Sequence, residues 1–149
     1  MKDIAKQLRS LVEAVEPRLS QMNSDDLGFK PDQNEWSKKE ILGHLIDSAA
    51  NNHQRFVRAA NNIAAQFPTY DQNEWVAIQR HNERPWASLV ALWSAYNQHL
   101  AHVIECIPEE AGSFPCNTGK EDPVPLDFVI KDYQRHVLHH LKDILEELI

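Results

Sequence analysis

Apolar residues recur every three or four positions along four long stretches of the chain, and this spacing predicts four amphipathic helices. The stretches cover residues 2–22, 37–62, 85–107 and 125–148. A shorter run, EWVAIQRH at residues 74–81, predicts one short turn of helix. The segments between these runs are rich in Pro, Asp and Asn and are typical of loops. No long alternating apolar and polar pattern occurs, so no strand is predicted.

The boundaries of the helices carry their own signals. Ser37 and Glu40 match a capping box, in which each side chain bonds the backbone N–H of the other residue. Pro85 suits a first helical turn, Pro108 should end the third helix, and Pro17 should kink or shorten the first. Four long helices in 149 residues predict an all-α four-helix bundle. Because no repeat or linker is visible, residues 1–149 are interpreted as one domain.

The charge balance narrows the class of protein. The chain has 22 Asp and Glu against 15 Lys and Arg, a formal net charge of −7, which argues against nucleic-acid binding. No apolar run approaches the roughly 20 residues that a membrane span needs, and the charged N-terminal segment lacks the apolar centre of a signal peptide. We therefore expect a soluble cytoplasmic protein. Cys106 and Cys116 form no CxxC pair and are expected to be reduced thiols.

The candidate chemistry lies in the last helix, where the chain reads RHVLHHLKDIL. At about 100° per residue, His136 and His140 stack on one edge of the apolar stripe, whereas His139 points toward the polar face. Two histidines four positions apart can aim their imidazoles at one divalent ion. The pair alone fits a metal site and a chance alignment equally well, because metal sites need further ligands.

A third ligand must come from elsewhere in the chain. Periodicity favours His53, which lies closer to the centre of the second helix's apolar stripe than His44 does. His44 falls on the polar side with Asp47, and the pattern predicts a solvated surface residue. On spacing alone, both histidines stay open as candidates.

Three segments together resemble the DinB/YfiT-like superfamily of metal-dependent proteins. They are EWSKKEILGHLIDSAANNHQRF in the second helix, YDQNEWVAIQRHNERPWASLVALW in the middle of the chain, and DYQRHVLHHLKDIL in the fourth helix. Each segment is loose by itself, but their order and spacing are fairly specific. Together they cover roughly residues 30–148.

The resemblance implies an up-down-down-up bundle that holds a divalent metal ion, nickel or zinc, on His44, His136 and His140. It also favours His44 over His53 as the third ligand. Asp143 stands where the family often has Gln. Relatives in this family include thiol S-transferases and a thiol-dependent maleylpyruvate isomerase, and many members are dimers. The expectation is thus a homodimeric metal-dependent enzyme, a thiol transferase or hydrolase acting on a small molecule or thiol. The alternative is a non-catalytic, metal-binding or stress-associated dimeric bundle.

Three neutral imidazoles leave a divalent ion with an open coordination position, as in catalytic rather than structural sites. Asp47, Asp132 and Asp143 lie about one helical turn from a proposed ligand and could orient it, although each is expected to face solvent. Tyr133 falls within the apolar stripe and should pack in the core. The four tryptophans should fill the bundle and its loops, with Trp75 or Trp86 as candidates for a pocket mouth.

Overall fold

The computed structural model describes residues 1–22, 25–63, 69–119 and 122–146, and four long helices dominate it. Its α-helices are α1 (Lys2–Ser20), α2 (Lys38–Ala60), α3 (Gln72–Gln79), α4 (Trp86–Cys106) and α5 (Leu126–Leu145). Two 3-10 turns, His81–Glu83 and Glu109–Ser113, flank α4. Two short strands, β1 (Pro115–Cys116) and β2 (Val124–Pro125), pair antiparallel before α5.

The predicted helix boundaries largely agree with these elements. The capping box at Ser37 is present: its hydroxyl accepts from the Glu40 N–H at 3.1 Å, and the Ser37 N–H donates to the Glu40 carboxylate at 2.9 Å. Pro17 lies inside α1 without ending it. The last helix ends at Leu145, where Glu146 takes a left-handed conformation with φ 59°. The predicted end at residue 148 lies outside the described residues.

Two elements differ from the prediction. The short turn expected at residues 74–81 is an eight-residue helix, α3, that begins earlier because the Asp71 side chain accepts from the backbone N–H groups of Asn73 and Glu74. The two-residue strands were not predicted, because segments this short carry no alternation.

Contacts near both ends of each helix pair fix the directions of the helices. Helices α1 and α4 are antiparallel, α2 and α4 are parallel, and α2 and α5 are antiparallel. Between α1 and α4, Leu19 contacts Trp86 and Arg9 contacts Glu105. Between α2 and α4, Lys39 contacts Arg84 and His53 contacts Tyr96. Between α2 and α5, Lys38 contacts Glu146 and Ser48 contacts His136. The bundle is therefore up-down-down-up, as expected.

The core lies between the four long helices. Its largest fully buried side chains include Trp93, Phe56 and Leu8. The Tyr133 hydroxyl is buried there and donates to Asn97 Oδ1 at 2.6 Å, which confirms the core position expected for this tyrosine. None of the helices in the described ranges is long and apolar enough to cross a membrane.

Helix α2 is buried on more sides than its apolar stripe suggested. Every residue from 42 to 49 is buried, because the segment formed by α3 and the following 3-10 turn covers the side away from the core. The ring of His81 lies directly on the backbone of Gly43, where an added Cβ would fall 2.2 Å from it. The predictions that His44 and Asp47 face solvent are therefore wrong.

Candidate metal centre

Three histidines from two helices meet at one point of the bundle. His44 comes from α2, and His136 and His140 come from successive turns of α5. The Nε2 atoms of His44 and His136 lie 3.1 Å apart. One ring nitrogen from each of the three residues lies within 4.8 Å of the others. The structure thus brings together the three residues that the family resemblance implied as ligands.

The cluster is shielded unevenly from water. His44 is 0% exposed, whereas the side chain of His140 keeps 17% of its exposure. Trp36, from the loop before α2, packs against His44 with ring centroids 4.8 Å apart and lies 6.4 Å from His140. Trp36 therefore closes the loop side of the cluster, whereas the sequence favoured Trp75 or Trp86 as candidates for a pocket mouth. Trp86 is instead buried, with its indole N–H donating to the carbonyl of Leu19 at 2.7 Å.

Burial keeps these imidazoles uncharged at neutral pH. Desolvation, reinforced by the neighbouring His136 and His140 rings, lowers the pKa of His44 from 6.5 to about 3. Desolvation and His140 lower the pKa of His136 to about 4, and burial also lowers the pKa of His140. Neutral rings offer the nitrogen lone pairs that metal coordination requires.

Hydrogen bonds orient two of the three rings. His136 Nδ1 lies 3.3 Å from the Ser48 hydroxyl, and His140 Nδ1 lies 3.2 Å from the Asp143 carboxylate. Because a carboxylate only accepts, we assign the His140 proton to Nδ1, which leaves Nε2 as an acceptor. The same assignment for His136 makes Ser48 its acceptor. His44 Nδ1 is buried without a hydrogen-bond partner.

The three aspartates proposed as orienting residues have different surroundings. Asp143 contacts a histidine of the cluster and is 44% exposed. Asp132 is exposed and pairs with Arg135 at 2.9 Å. Asp47 is buried, accepts from the Gln79 amide at 2.8 Å and lies 4.0 Å from His81. Of the three, Asp143 alone makes a hydrogen bond to a clustered histidine within the described ranges.

The remaining candidates lie apart from the cluster. His53 faces α4, with Nδ1 3.3 Å from the Tyr96 hydroxyl and its ring 4.9 Å from that of His99. Among the described residues it joins no group of three metal-binding side chains. His139 is 72% exposed, as its position on the polar face predicted.

Two clefts adjoin the cluster. One, of about 340 Å³, reaches His136 and is lined by Ser48, Asn52, Arg55 and Tyr133 among others. The other, of about 790 Å³, reaches His140 and is lined by Trp36, Asp143 and Phe29 among others. Sequence analysis missed Ser48 and Arg55 as lining residues, although both follow His44 on one face of α2 at helical spacing.

Comparison with known proteins identifies the family of this chain. The family model of the DinB superfamily matches residues 7–144. An inferred metal-dependent hydrolase of Oceanobacillus iheyensis is 22% identical over 105 residues. That alignment covers 70% of this chain and 60% of the relative, so the chain spans less than two thirds of the curated protein it matches.

Solved structures share the fold. YfiT from Bacillus subtilis, an inferred metal-dependent hydrolase with an unusual four-helix bundle topology, superposes with a TM-score of 0.80 at 18% identity. The superposition covers 95% of this chain and 84% of YfiT. A mycothiol-dependent maleylpyruvate isomerase superposes with a TM-score of 0.75 at 19% identity, covering 97% of this chain and 60% of that enzyme.

Proposed function

This chain belongs to the DinB superfamily, and from that premise we propose that it binds a divalent metal ion through His44, His136 and His140 and acts as a metal-dependent enzyme on a small molecule. The observation that carries the proposal is the 3.1 Å separation of the His44 and His136 Nε2 atoms. Both rings are uncharged at neutral pH, so no imidazolium charge repels a metal ion at this point.

The residues present fit such an ion. Imidazole nitrogens bound to one zinc ion at about 2.1 Å lie roughly 3.0–3.4 Å from each other, depending on the coordination angle. His44 and His136 already have this spacing. In the metal-free protein the Nε2–H of a neutral His44 can donate to His136 Nε2 across this distance, and a bound metal ion would take the place of that proton. A set of imidazole donors suits zinc and nickel, which we propose as the metals.

The surrounding side chains prepare the site. Asp143 and Ser48 accept from the Nδ1–H groups of His140 and His136 and thereby fix the rings with Nε2 toward the cluster. Trp36 excludes water from the loop side. Three protein ligands leave a coordination position open, which is the pattern of catalytic sites. When bound, the ion lowers the pKa of a coordinated water or thiol and so supplies a nucleophile near neutral pH.

Two reaction classes follow from this. In the first, a small thiol attacks the substrate, and in the second, water attacks it. Support for the first class comes from the shared fold of a mycothiol-dependent isomerase, and support for the second from relatives inferred to be hydrolases. Cys106 and Cys116 are not at the cluster, so we propose that any thiol is a small molecule. Homodimerisation and a cytoplasmic location belong to the same proposal.

Metal content is the first test. Untagged wild-type protein, loaded with nickel or zinc and desalted, should retain about one equivalent by mass spectrometry. His44→Ala and His136→Ala should lose it, and the matched control His53→Ala should keep it. Retention by His44→Ala together with loss by His53→Ala would move the third ligand to His53. No retained metal in the wild type would refute the site.

Turnover is the second test. The metal-loaded protein should be screened with small thiols plus electrophiles and, separately, with esters and amides in the absence of thiol. His140→Ala should lose the activity found while keeping its helical circular dichroism. One bound equivalent with no turnover in either screen would replace the enzyme by the non-catalytic metal-binding alternative.

A further inference from the structure

A polar track leads from the histidine cluster along α2 into the smaller cleft. Ser48, Asn52 and Arg55 follow His44 at intervals of four, four and three residues and so lie on one face of the helix. The Asn52 amide donates to the Ser48 carbonyl at 2.9 Å, and Asn52 Oδ1 lies 3.5 Å from Arg55 Nη1. Ser48 and Asn52 are both buried, so this track is a polar floor rather than a solvated helix face.

The guanidinium of Arg55, at the far end of the track, has few acceptors. Its Nη2 donates to the Thr118 carbonyl at 3.4 Å, a long hydrogen bond to a neutral group. Its Nε is buried without a hydrogen-bond partner. Within the described part of the chain, no carboxylate forms an ion pair with Arg55. A buried donor left unpaired on a permanent cation costs free energy, which an anion could recover.

The cleft around Arg55 has the form of a small-molecule site. Its volume of about 340 Å³ extends from Arg55 to His136, with Tyr70, Phe128 and Val129 on its walls. Such volumes are typical of ligand pockets, in which a few polar groups set orientation between apolar walls.

Two carboxylates also line the cleft, but they leave the charge of Arg55 in place. Asp122 and Asp132 are both exposed. Asp132 accepts from Arg135 at 2.9 Å, so its charge is already paired outside the cleft. The Arg55 end of the cleft therefore presents a cation to any ligand that enters.

We propose that Arg55 determines substrate specificity by binding the carboxylate of an extended organic acid whose other end reaches the histidine cluster. This inference rests on the proposed metal site, because the cluster supplies the second anchor. The planar guanidinium fork matches a carboxylate with two parallel hydrogen bonds. The seven steps from Ser48 to Arg55 rise about 10 Å along α2, which sets the span of the ligand at a chain of about six to eight atoms.

Matched thiols test both anchors together. The probes are 6-mercaptohexanoate and its neutral analogue 6-mercaptohexanol, titrated into protein loaded with cobalt(II), in which thiolate coordination gives a charge-transfer absorption. The wild type should bind the acid about ten- to a hundredfold more tightly than the alcohol, the range expected for charge-assisted hydrogen bonds. Arg55→Gln should abolish this preference and leave the affinity for the alcohol unchanged. Arg55→Lys, which keeps the charge but not the fork, should retain part of it.

The control Arg58→Gln makes the same change of charge one turn further along α2, outside the residues that line the cleft. It should behave as the wild type, and circular dichroism should verify the fold of every variant. An unchanged preference for the acid in folded Arg55→Gln would overturn the proposal.

A metal-free arm separates this proposal from the metal site. Hexanoate, followed by amide chemical shifts, should perturb residues around Arg55 and Thr118 in the wild type but not in Arg55→Gln. Equal perturbation in both would overturn the role of Arg55 whatever the metal content. Selective perturbation without any metal binding would leave Arg55 as an anion site and refute the proposed function alone.

Discussion

His44 and His136 stand 92 positions apart in the chain, yet their Nε2 atoms lie 3.1 Å from each other in the folded protein. His44 is buried and His136 is half-buried, and both rings are neutral near pH 7. Two Nε2 atoms at this spacing fit two of the four positions of a tetrahedral coordination sphere.

Removing the carboxylate beside His140 should weaken metal binding. In Asp143→Ala the ring loses the acceptor that lies 3.2 Å from its Nδ1, so its orientation and tautomer are no longer fixed. Loss of such a partner typically reduces metal affinity about 10- to 100-fold. The change is measured by competition with a chromophoric chelator.

Asp127→Ala is the matched control for this variant. It removes a carboxylate from the first turn of the same helix, where Asp127 pairs with Lys131 at 2.8 Å, far from the histidines. Equal affinities in the two variants would show that Asp143 does not support the site.

Acid should destabilise the metal-free protein before its carboxylates titrate. Below pH 6.5 the unfolded chain protonates both His44 and His136, whereas the folded chain resists until about pH 3 and 4. The unfolded state then binds more protons, so the free energy of unfolding falls as the pH falls, by about 1.4 kcal/mol per pH unit for each ring. The part of the folding stability that depends on neutral His44 and His136 is complete above pH 6.5. It is lost progressively as the pH falls from 6.5 to about 3.

Urea unfolding of metal-free protein between about pH 7 and pH 5 measures this slope. His136→Asn should reduce the slope of the unfolding free energy against pH by about the amount that one bound proton contributes. The exposed control His139→Asn should leave the slope unchanged. Identical slopes in wild type and His136→Asn would contradict the burial of an uncharged ring.

Adding one methyl group at Gly43 should destabilise the fold. A Cβ there would lie 2.2 Å from His81 Cδ2, well inside contact distance, so the ring or helix α2 must shift. Overpacking of this kind typically costs about 1–3 kcal/mol, which exceeds the gain in helix propensity from Gly to Ala of about 1 kcal/mol. Thermal and urea unfolding of Gly43→Ala measure the loss.

Two further variants locate the cause. Gly112→Ala is the control, because its Cβ would meet the nearest atom at an ordinary 3.5 Å. In the His81→Ala background, which lacks the clashing ring, the change at Gly43 should cost much less, with the single variant His81→Ala as the reference. If the change costs as much in that background as in the wild type, packing against His81 is not the cause.

The helices could be predicted because the signals for them are local, whereas their up-down-down-up arrangement was implied by the family resemblance. The capping box at Ser37 depends on a few neighbouring residues, and four apolar stripes define the faces that meet. The position of His44 could not be predicted in this way. It lies off the apolar stripe of α2 and is buried by Trp36 and by the segment after α3, which reach it from other parts of the chain.

Arg55 was missed for a related reason. Along the sequence it is one charged residue on a helix, indistinguishable from the exposed Arg58 one turn later. What distinguishes it is the set of groups brought near it by folding, Asn52 from its own helix and the Thr118 carbonyl from the loop before α5. Helical periodicity gives the direction in which a side chain leaves its own helix. It does not give the residues of other segments that lie opposite that side chain.

The antiparallel arrangement of α2 and α5 also has a kinetic consequence. Closing a loop of 92 residues between His44 and His136 costs chain entropy that no local helix formation can recover. Neither helix alone, nor the hairpin-like pairing of adjacent segments, brings the imidazoles together. The two imidazoles come together only when α5 packs onto α2. Binding of a metal ion during refolding would therefore indicate that this long-range contact has formed.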